Sequence, residues 1–311
     1  MPGFMEFVRG LVNLRPHQRG SVLTIGSFDG LHQGHQALIR RAMALAARAA
    51  RPSMVLTFEP MPRDVLAPAS APARLTNFRE RWRLIESLGV DICTVLHFNE
   101  RLRALSGVQF LDLLMREFQV HAIVVGHDFR FGRGGEMSAT MLETACQPLG
   151  VTVDIVPPVL LGVERISSTT VRDALRAGEF RHAAALLGRP YRMRGRVVNG
   201  QRLGRTLGFP TANLRLRRRR SPLAGIFAVW VLGVGPKPLA GVASLGTRPT
   251  VGGGELLLET HIMDFDGELY GRELEIEFVA RLRDELHFAS LDDLVVQMRR
   301  DTAEAREILA A

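Results

Sequence analysis

The chain is predicted to fold as an α/β half followed by a smaller all-β half, on three observations. Over the first ~185 residues, short Val- and Ile-rich runs alternate with helical patterns, as in a doubly wound parallel sheet buried on both faces. At Gly188-Arg189-Pro190 the alternation stops. Short β-prone runs separated by turn-rich segments such as PTVGGG and DFDGELYG take over, the pattern of a small antiparallel barrel. The length of 311 residues agrees with two domains of ~150 residues each. The boundary is placed near residue 188, giving domains 1–187 and 188–311.

Taken in order, strands are expected at 22–26, 54–58, 92–98, 122–126 and 151–156, each a short apolar run. Helical periodicity lies between them at 35–48, 78–88, 108–118 and 137–149. Ser106 with Gln109 has the spacing of a capping box, and Asn77 with Glu80 has a weaker version of it. A helical stretch over 169–187 closes the first half. In the second half, strands are expected at 191–198, 226–234, 239–244, 256–262 and 274–280. A terminal amphipathic helix, capped by Ser290, carries Leu291, Leu294, Val295, Met298 and Ile308 on one stripe.

Composition narrows the function. Hydrophobic residues make up 46% and charged residues 23%, with mean hydropathy +0.07, so the chain has apolar surface for real cores. The longest uncharged stretch, 221–236, is too short and too broken by Gly and Pro to span a bilayer. The opening MPGFMEFVRG lacks a basic segment followed by an apolar one, and the two cysteines, Cys93 and Cys146, form no C-x-x-C pair. A cytoplasmic protein without disulfides or thiolate zinc is expected. Lys+Arg is 40, yet Lys237 is the single lysine, in the loop GVGPKP, so no Walker A loop exists. The formal charge of +8 admits polyanionic ligands, nucleotides included.

The segment TIGSFDGLHQGHQ, Thr24 to Gln36, runs from the first strand into the first helix. His32 and His35 stand i, i+3 at that helix start, where backbone N–H groups and the dipole favour phosphate. Gly26 and Gly34 allow close backbone approach. By composition alone H-x-G-H is expected only about 0.02 times in such a chain. Two surface histidines, or a zinc pair lacking a visible third ligand, are the alternatives to nucleotidyl transfer. VVGHDFRFG, Val124 to Gly132, follows the fourth strand at the edge of the sheet where ligands bind. ISSTTVR, Ile166 to Arg172, offers three hydroxyls and an arginine at another helix start; it is either a plain N-cap or part of a pyrophosphate clamp.

In the second half, GRTLGFPTANL, Gly204 to Leu214, reads locally as a turn followed by a strand. Glu259 and His261 lie on the strand face opposite Leu258, Thr260 and Ile262. By residue type Glu259 and Glu255 are equal candidates for a general base. The run RLRRRR, Arg215 to Arg220, reads as a solvated loop; RNA binding is its functional alternative, disfavoured by an aromatic content of 6%. A nucleotidyltransferase with another phosphate acceptor is the remaining rival.

The ordered set TIGSFDGLHQGHQ, VLTFEP, VVGHDFRFGRG, ISSTTVRDAL, LGRPY, GRTLGFPTANL, GTRPT, ETHIMDFDGELYG and LRDE resembles the bacterial bifunctional riboflavin kinase/FMN adenylyltransferases, or FAD synthetases, over nearly the whole chain. The resemblance implies a Rossmann-like nucleotidyltransferase domain followed by a flavokinase β-barrel. It implies conversion of riboflavin to FMN and of FMN to FAD, both with ATP and Mg2+. His32 and His35 would carry the ATP phosphates and transition state, within an ATP loop containing Gly26, Phe28, Asp29 and Gly34. Ser168, Thr169 and Arg172 would hold the outer phosphates, and Asp128 and Phe129 would line the flavin or nucleotide pocket. In the kinase half, Thr211 and Asn213 match the magnesium and phosphate ligands. Gly204, Arg205 and Gly208 match the ATP loop, Glu259 the general base, and Arg283 the flavin-loop arginine. Two residues depart from the family pattern. Met61 stands where His is common, a thioether in place of a charged donor, and Ser27 stands where Asn is frequent.

Overall fold

A computed structural model describes residues 4–200, 207–218, 220–248 and 255–310. It divides into two compact units, Met1–Pro72 with Arg81–Ser167, and Ala73–Glu80 with Ser168–Ala311.

The first unit holds six parallel strands: β1 (Glu6–Arg9), β2 (Val22–Ile25), β3 (Ser53–Phe58), β4 (Ile92–Leu96), β5 (Ala122–Gly126) and β6 (Thr152–Val156). Their order is β1-β4-β3-β2-β5-β6. The continuous apolar runs follow from burial on both faces. Leu23, Ile25, Ile123 and Val125 pack with Phe110, Leu114, Phe118 and Leu142 on one side. Val22 and Val124 pack with Ala42 and Ala46 of the helix Gln33–Ala49 on the other. Full burial of each such side chain stabilises by roughly 1.5–3 kcal/mol.

The five expected strands are all present in this unit, with ends shifted by one or two residues. The edge strand β1 is an addition: three of its four residues are exposed, so it carries little hydrophobic signal. The Ser106 capping box forms, with Gln109 N–H donating to Ser106 Oγ and Ser106 N–H to Gln109 Oε1. The helix it opens changes to a π turn at Leu114–Phe118. The helix expected at 137–149 is shortened to Ala139–Cys146. Met137 and Ser138 instead pair with Arg130–Phe131, and Ser138 caps the helix.

The second unit is a closed antiparallel barrel of β7 (Arg192–Val198), β8 (Thr211–Arg215), β9 (Gly225–Leu232), β10 (Leu239–Arg248), β11 (Glu255–Ile262) and β12 (Glu273–Arg283). The order is β7-β8-β11-β10-β9-β12, with β12 returning to β7. Leu214, Phe227, Val229, Leu245, Leu258 and Phe278 fill its interior, so their strand neighbours face outward. The helical stretch over 169–187 is two helices, Ser168–Ala177 and Phe180–Leu187, separated at Gly178. Phe180 of the second stacks with Phe278, centroids 6.3 Å apart.

The terminal helix Leu291–Ala310 begins at Ser290, whose Oγ accepts from Asp293 N–H. It lays Ala305, Ile308 and Leu309 against Ala228, Ala240, Val242 and Leu282 on the outer wall of the barrel. Leu291, expected on the buried stripe, is 57% exposed; it lies in the first turn, before the helix reaches that wall.

The arginine run also departs from expectation. Arg218 is buried rather than solvated, and Leu216 beside it is buried too. The Arg218 guanidinium donates to Glu80 Oε2 at 2.5 Å, to the Leu75 carbonyl at 3.2 Å and to Tyr191 Oη at 3.2 Å. Glu80 and Asn77 complete the predicted capping box, Asn77 N–H donating to Glu80 Oε2 and Glu80 N–H to Asn77 Oδ1. The Arg194 N–H donates to the other Glu80 oxygen at 2.7 Å. Burial of the segment Ala73–Glu80 thus recruits one arginine of the run as a buried partner. Charge patterning along the chain cannot show this.

Candidate functional site

In the first unit, the strand order reverses between β2 and β5, so the loops leaving their carboxyl ends open onto one crevice. The first loop is tightly wound. Phe28 is fully buried in a left-handed conformation (φ 50°), and its ring packs over Gly26, where a Cβ would come within 3.1 Å of it. Asp29 and Leu31 are buried in the short turn that follows.

His32 is the N-cap of the helix Gln33–Ala49, and its Nδ1 accepts from His35 N–H at 3.3 Å. With Nδ1 engaged as acceptor, the proton of a neutral ring sits on Nε2. The two imidazoles stack with centroids 3.6 Å apart and planes 21° from parallel, and Phe28 meets His35 edge-on. A Cβ at Gly34 would lie 3.1 Å from His32 Nδ1, so glycine lets the ring sit down on the backbone. Spacing alone put the histidines at one helix start; the structure stacks them.

The second loop carries Asp128, bound to Arg165 of the ribbon Leu160–Leu161/Glu164–Arg165. Partial burial pushes the Asp128 carboxyl up. The hydrogen bond and charge of Arg165, helped by His127, outweigh that and hold it below the usual range. Arg165 is a residue that sequence reasoning missed, although it stands one residue before ISSTTVR. Phe129 is partly buried, packs against the edge of the core and stacks on Phe131. Met61 is buried, 6% exposed, at the start of the short helix Pro62–Leu66.

Ser168, Thr169 and Arg172 lie on the first helix of the second unit. Arg172 is buried and donates from Nε to the Ala73 carbonyl at 2.6 Å and from Nη1 to the Ser168 carbonyl at 3.1 Å.

On the barrel, the sequence-predicted residues converge. Register places Asn213 and Ser244 on either side of Glu259, and Thr211 and Val242 on either side of His261. All six are on the outer wall, since Leu258, Thr260 and Ile262 point inward. They line one cavity of about 510 Å³, closed by Arg283, the loop carrying Phe288, and the helix residues Leu294, Met298 and Asp301. Glu259 lines this cavity; the side chain of its rival, Glu255, lies outside what the structure describes. A second cavity of about 680 Å³ is lined by Phe265, Asp266 and Tyr270 and shares Thr211 with the first. Gly208, in a left-handed turn (φ 83°), precedes Phe209 and Pro210. Gly204 and Arg205 lie outside the described residues. The helix contribution to the cavity was legible in part, as an apolar stripe, but nothing in the sequence paired that stripe with Glu259.

The donor set fits a hard cation. Asn213 is 7% exposed, and its Oδ1 is buried without a hydrogen bond. Its amide lies over Gly200, where a Cβ would come within 2.3 Å of it. Among the described residues no group of three His, Cys, Asp or Glu side chains could hold a metal. A cation here would lean on neutral oxygens and substrate phosphates, as magnesium does.

Comparison with known proteins identifies the family. Residues 14–170 match the FAD synthetase family model, and residues 187–309 match the riboflavin kinase model. The chain is 45% identical over 305 residues to the bifunctional riboflavin kinase/FMN adenylyltransferase of Escherichia coli strain K12, covering 97% of each chain. It is 46% identical over 308 residues to that of Pseudomonas fluorescens, covering 98% of each. A crystal structure described as a macrolide-efflux protein from Streptococcus pneumoniae superposes with TM-score 0.81 at 33% identity, covering 98% of this chain and 99% of that one. Among the described residues of the present chain, no helix is long and apolar enough to cross a membrane. The chain belongs to the bifunctional riboflavin kinase/FMN adenylyltransferase family, whose two ATP-using activities carry riboflavin through FMN to FAD.

Proposed function

We propose that the two reactions are carried by residues 1–187 and 188–311, with Glu259 and the His32–His35 pair at their respective centres. The observation that carries this reading is the register of β8, β10 and β11, which places Thr211, Asn213, Ser244, Glu259 and His261 on one cavity wall.

In the kinase step, riboflavin lies in the apolar part of that cavity, between Ile226, Val242, Leu294 and Met298. Its ribityl 5′-hydroxyl points to Glu259. Glu259 accepts the hydroxyl proton as the oxygen attacks the γ-phosphorus of ATP; the bond from that phosphorus to the β,γ-bridging oxygen breaks, and ADP leaves. Thr211 is common to both cavities, which supports its standing where flavin and nucleotide meet, and Gly204, Arg205 and Gly208 are the residues proposed to bind ATP. Thr211 and Asn213 are the residues that would hold Mg2+, which supplies charge screening at the phosphates when bound.

In the adenylyl step, a phosphate oxygen of FMN attacks the α-phosphorus of ATP and pyrophosphate departs, so no proton need be removed from the nucleophile. The chain then has to stabilise charge and align the partners. His32 and His35 serve this role in the proposed reading, which their position at a helix N-terminus supports. Ser168, Thr169 and Arg172 serve the outer phosphates, and Asp128 with Phe129 serves the flavin side. The reading includes a cytoplasmic location and small-molecule partners: riboflavin, FMN, FAD and ATP.

The test separates flavins by chromatography after incubation with riboflavin, ATP and Mg2+, and again starting from FMN. The native chain is expected to give FMN and FAD. His32→Ala with His35→Ala is expected to stop FAD formation and spare FMN formation. Loss of both together contradicts separate sites.

A further inference from the structure

At the end of β12, Arg283 makes a fork against the terminal helix. Its Nε lies 2.9 and 3.1 Å from the two oxygens of Asp301, and its Nη2 lies 2.7 Å from Oδ2. Gln297, one turn earlier, donates to Asp301 Oδ1 at 2.8 Å. Nη1 donates to the Asp284 carbonyl at 2.9 Å, and the guanidinium carbon stands 5.8 Å from the Phe288 ring centroid. Asp301 is 3% exposed, yet it and Arg283 both line the cavity that holds Glu259.

An ion pair this deep is a costly way to fasten a helix. Two apolar side chains of similar volume would hold Leu291–Ala310 on the barrel at least as well, without desolvating two charges. Helix attachment already has Ala305, Ile308 and Leu309 to serve it. What the pair adds is a fixed, hydrogen-bonded charge pair in a wall where Leu286, Phe288, Leu294 and Met298 stand among Glu285, His287 and Thr302. These contacts engage three of the five guanidinium N–H donors, leaving one on each Nη nitrogen. A planar donor fork of this kind matches a ligand edge that bears two carbonyl oxygens, which is the chemistry of the pyrimidine end of an isoalloxazine.

We infer that Asp301, itself held by Gln297, is a positioning residue for flavin recognition. It orients the Arg283 guanidinium in the cavity wall so that the remaining donors meet the carbonyl edge of the flavin ring. The inference rests on the assignment of riboflavin to this cavity. It concerns ring binding, not phosphate transfer, so its signature is a split between the two substrates.

The full chain is assayed for FMN formation with riboflavin and ATP varied in turn, and melting is followed in parallel. Asp301→Asn keeps the shape and removes the charge. It is expected to raise the KM for riboflavin about tenfold and to leave the KM for ATP within about twofold. Gln297→Ala, which leaves the fork intact but loosens its base, is expected to give a smaller rise in the same constant. The double variant Arg283→Met with Asp301→Leu is expected to regain the native melting temperature while the riboflavin KM stays high. An unchanged riboflavin KM in Asp301→Asn overturns the inference, as does its recovery in the double variant or an equal rise for ATP. Failure of the native chain to make FMN overturns instead the reading on which the inference depends.

Discussion

Replacing Arg218 by methionine tests whether the arginine run is part of the fold. Methionine keeps most of the buried volume, so the loss is electrostatic rather than a cavity. In the native chain the Arg218 side chain is 0% exposed and that of Glu80 8%. Removing one partner of such a pair costs about 3–5 kcal/mol. Glu80 retains the N–H groups of Asn77 and Arg194, both at 2.7 Å, which places the expected loss at the lower end, about 3 kcal/mol. For a unit of about 150 residues, 1 kcal/mol corresponds to about 2–4 °C, so the melting temperature should fall by about 6–12 °C.

The pH dependence has a definite sign. Burial pushes the Glu80 carboxyl up, against the charge of Arg218 and the hydrogen bonds from Asn77 and Arg218. Without Arg218 it rises further, and a group whose folded pKa exceeds its unfolded value stabilises the fold below the unfolded pKa and loses that contribution as pH rises. The deficit of the variant is therefore largest at neutral pH and shrinks in mild acid. Calorimetric melts of native and variant chains at the two conditions make the measurement. A shift under about 2 °C at neutral pH, or a deficit that grows on acidification, refutes the buried-pair argument.

Three other outcomes are expected. Glu259→Gln should lower FMN formation by about 10²–10⁴-fold while FAD formation from supplied FMN stays intact; equal losses in the two assays would remove Glu259 as a base private to the kinase site. The Asp128 carboxyl should titrate below the ordinary aspartate range by NMR, keeping its charge until pH falls well into acid, and Arg165→Met should move it back up; no movement would mean Arg165 is not the cause. Burial pushes the Cys93 thiol up to about 12, so neither Cys93 nor the equally buried Cys146 should react with a thiol reagent in the folded chain at mildly alkaline pH, and prompt labelling of either would show the core to be open there.

Much of the architecture is legible before any coordinates because it rests on local repetition. Strands covered on both faces must be apolar throughout, so 22–26 and 122–126 announce themselves, and Ser106 with Gln109 marks a helix start within four residues. The phosphate loop is equally local, since both histidines and both glycines lie within ten residues. The edge strand Glu6–Arg9 escaped notice because it buries one residue in four, and Leu291 was overcounted because its helix begins before the wall it packs on. Glu259 could be separated from Glu255 by motif likeness but not by period. What sets Asn213 and Ser244 beside Glu259 is the pairing of β11 with β8 and β10, contacts between residues well separated along the chain. Arg218 and Asp301 make the same point from the other side. Each looks like an ordinary surface charge in its own segment, and each is buried because a distant segment, Ala73–Glu80 for one and the end of β12 for the other, supplies the compensating charge. Periodicity and spacing are properties of the chain itself, whereas the cost of burying a charge depends on which partner the fold delivers, and that is decided only when the chain closes on itself.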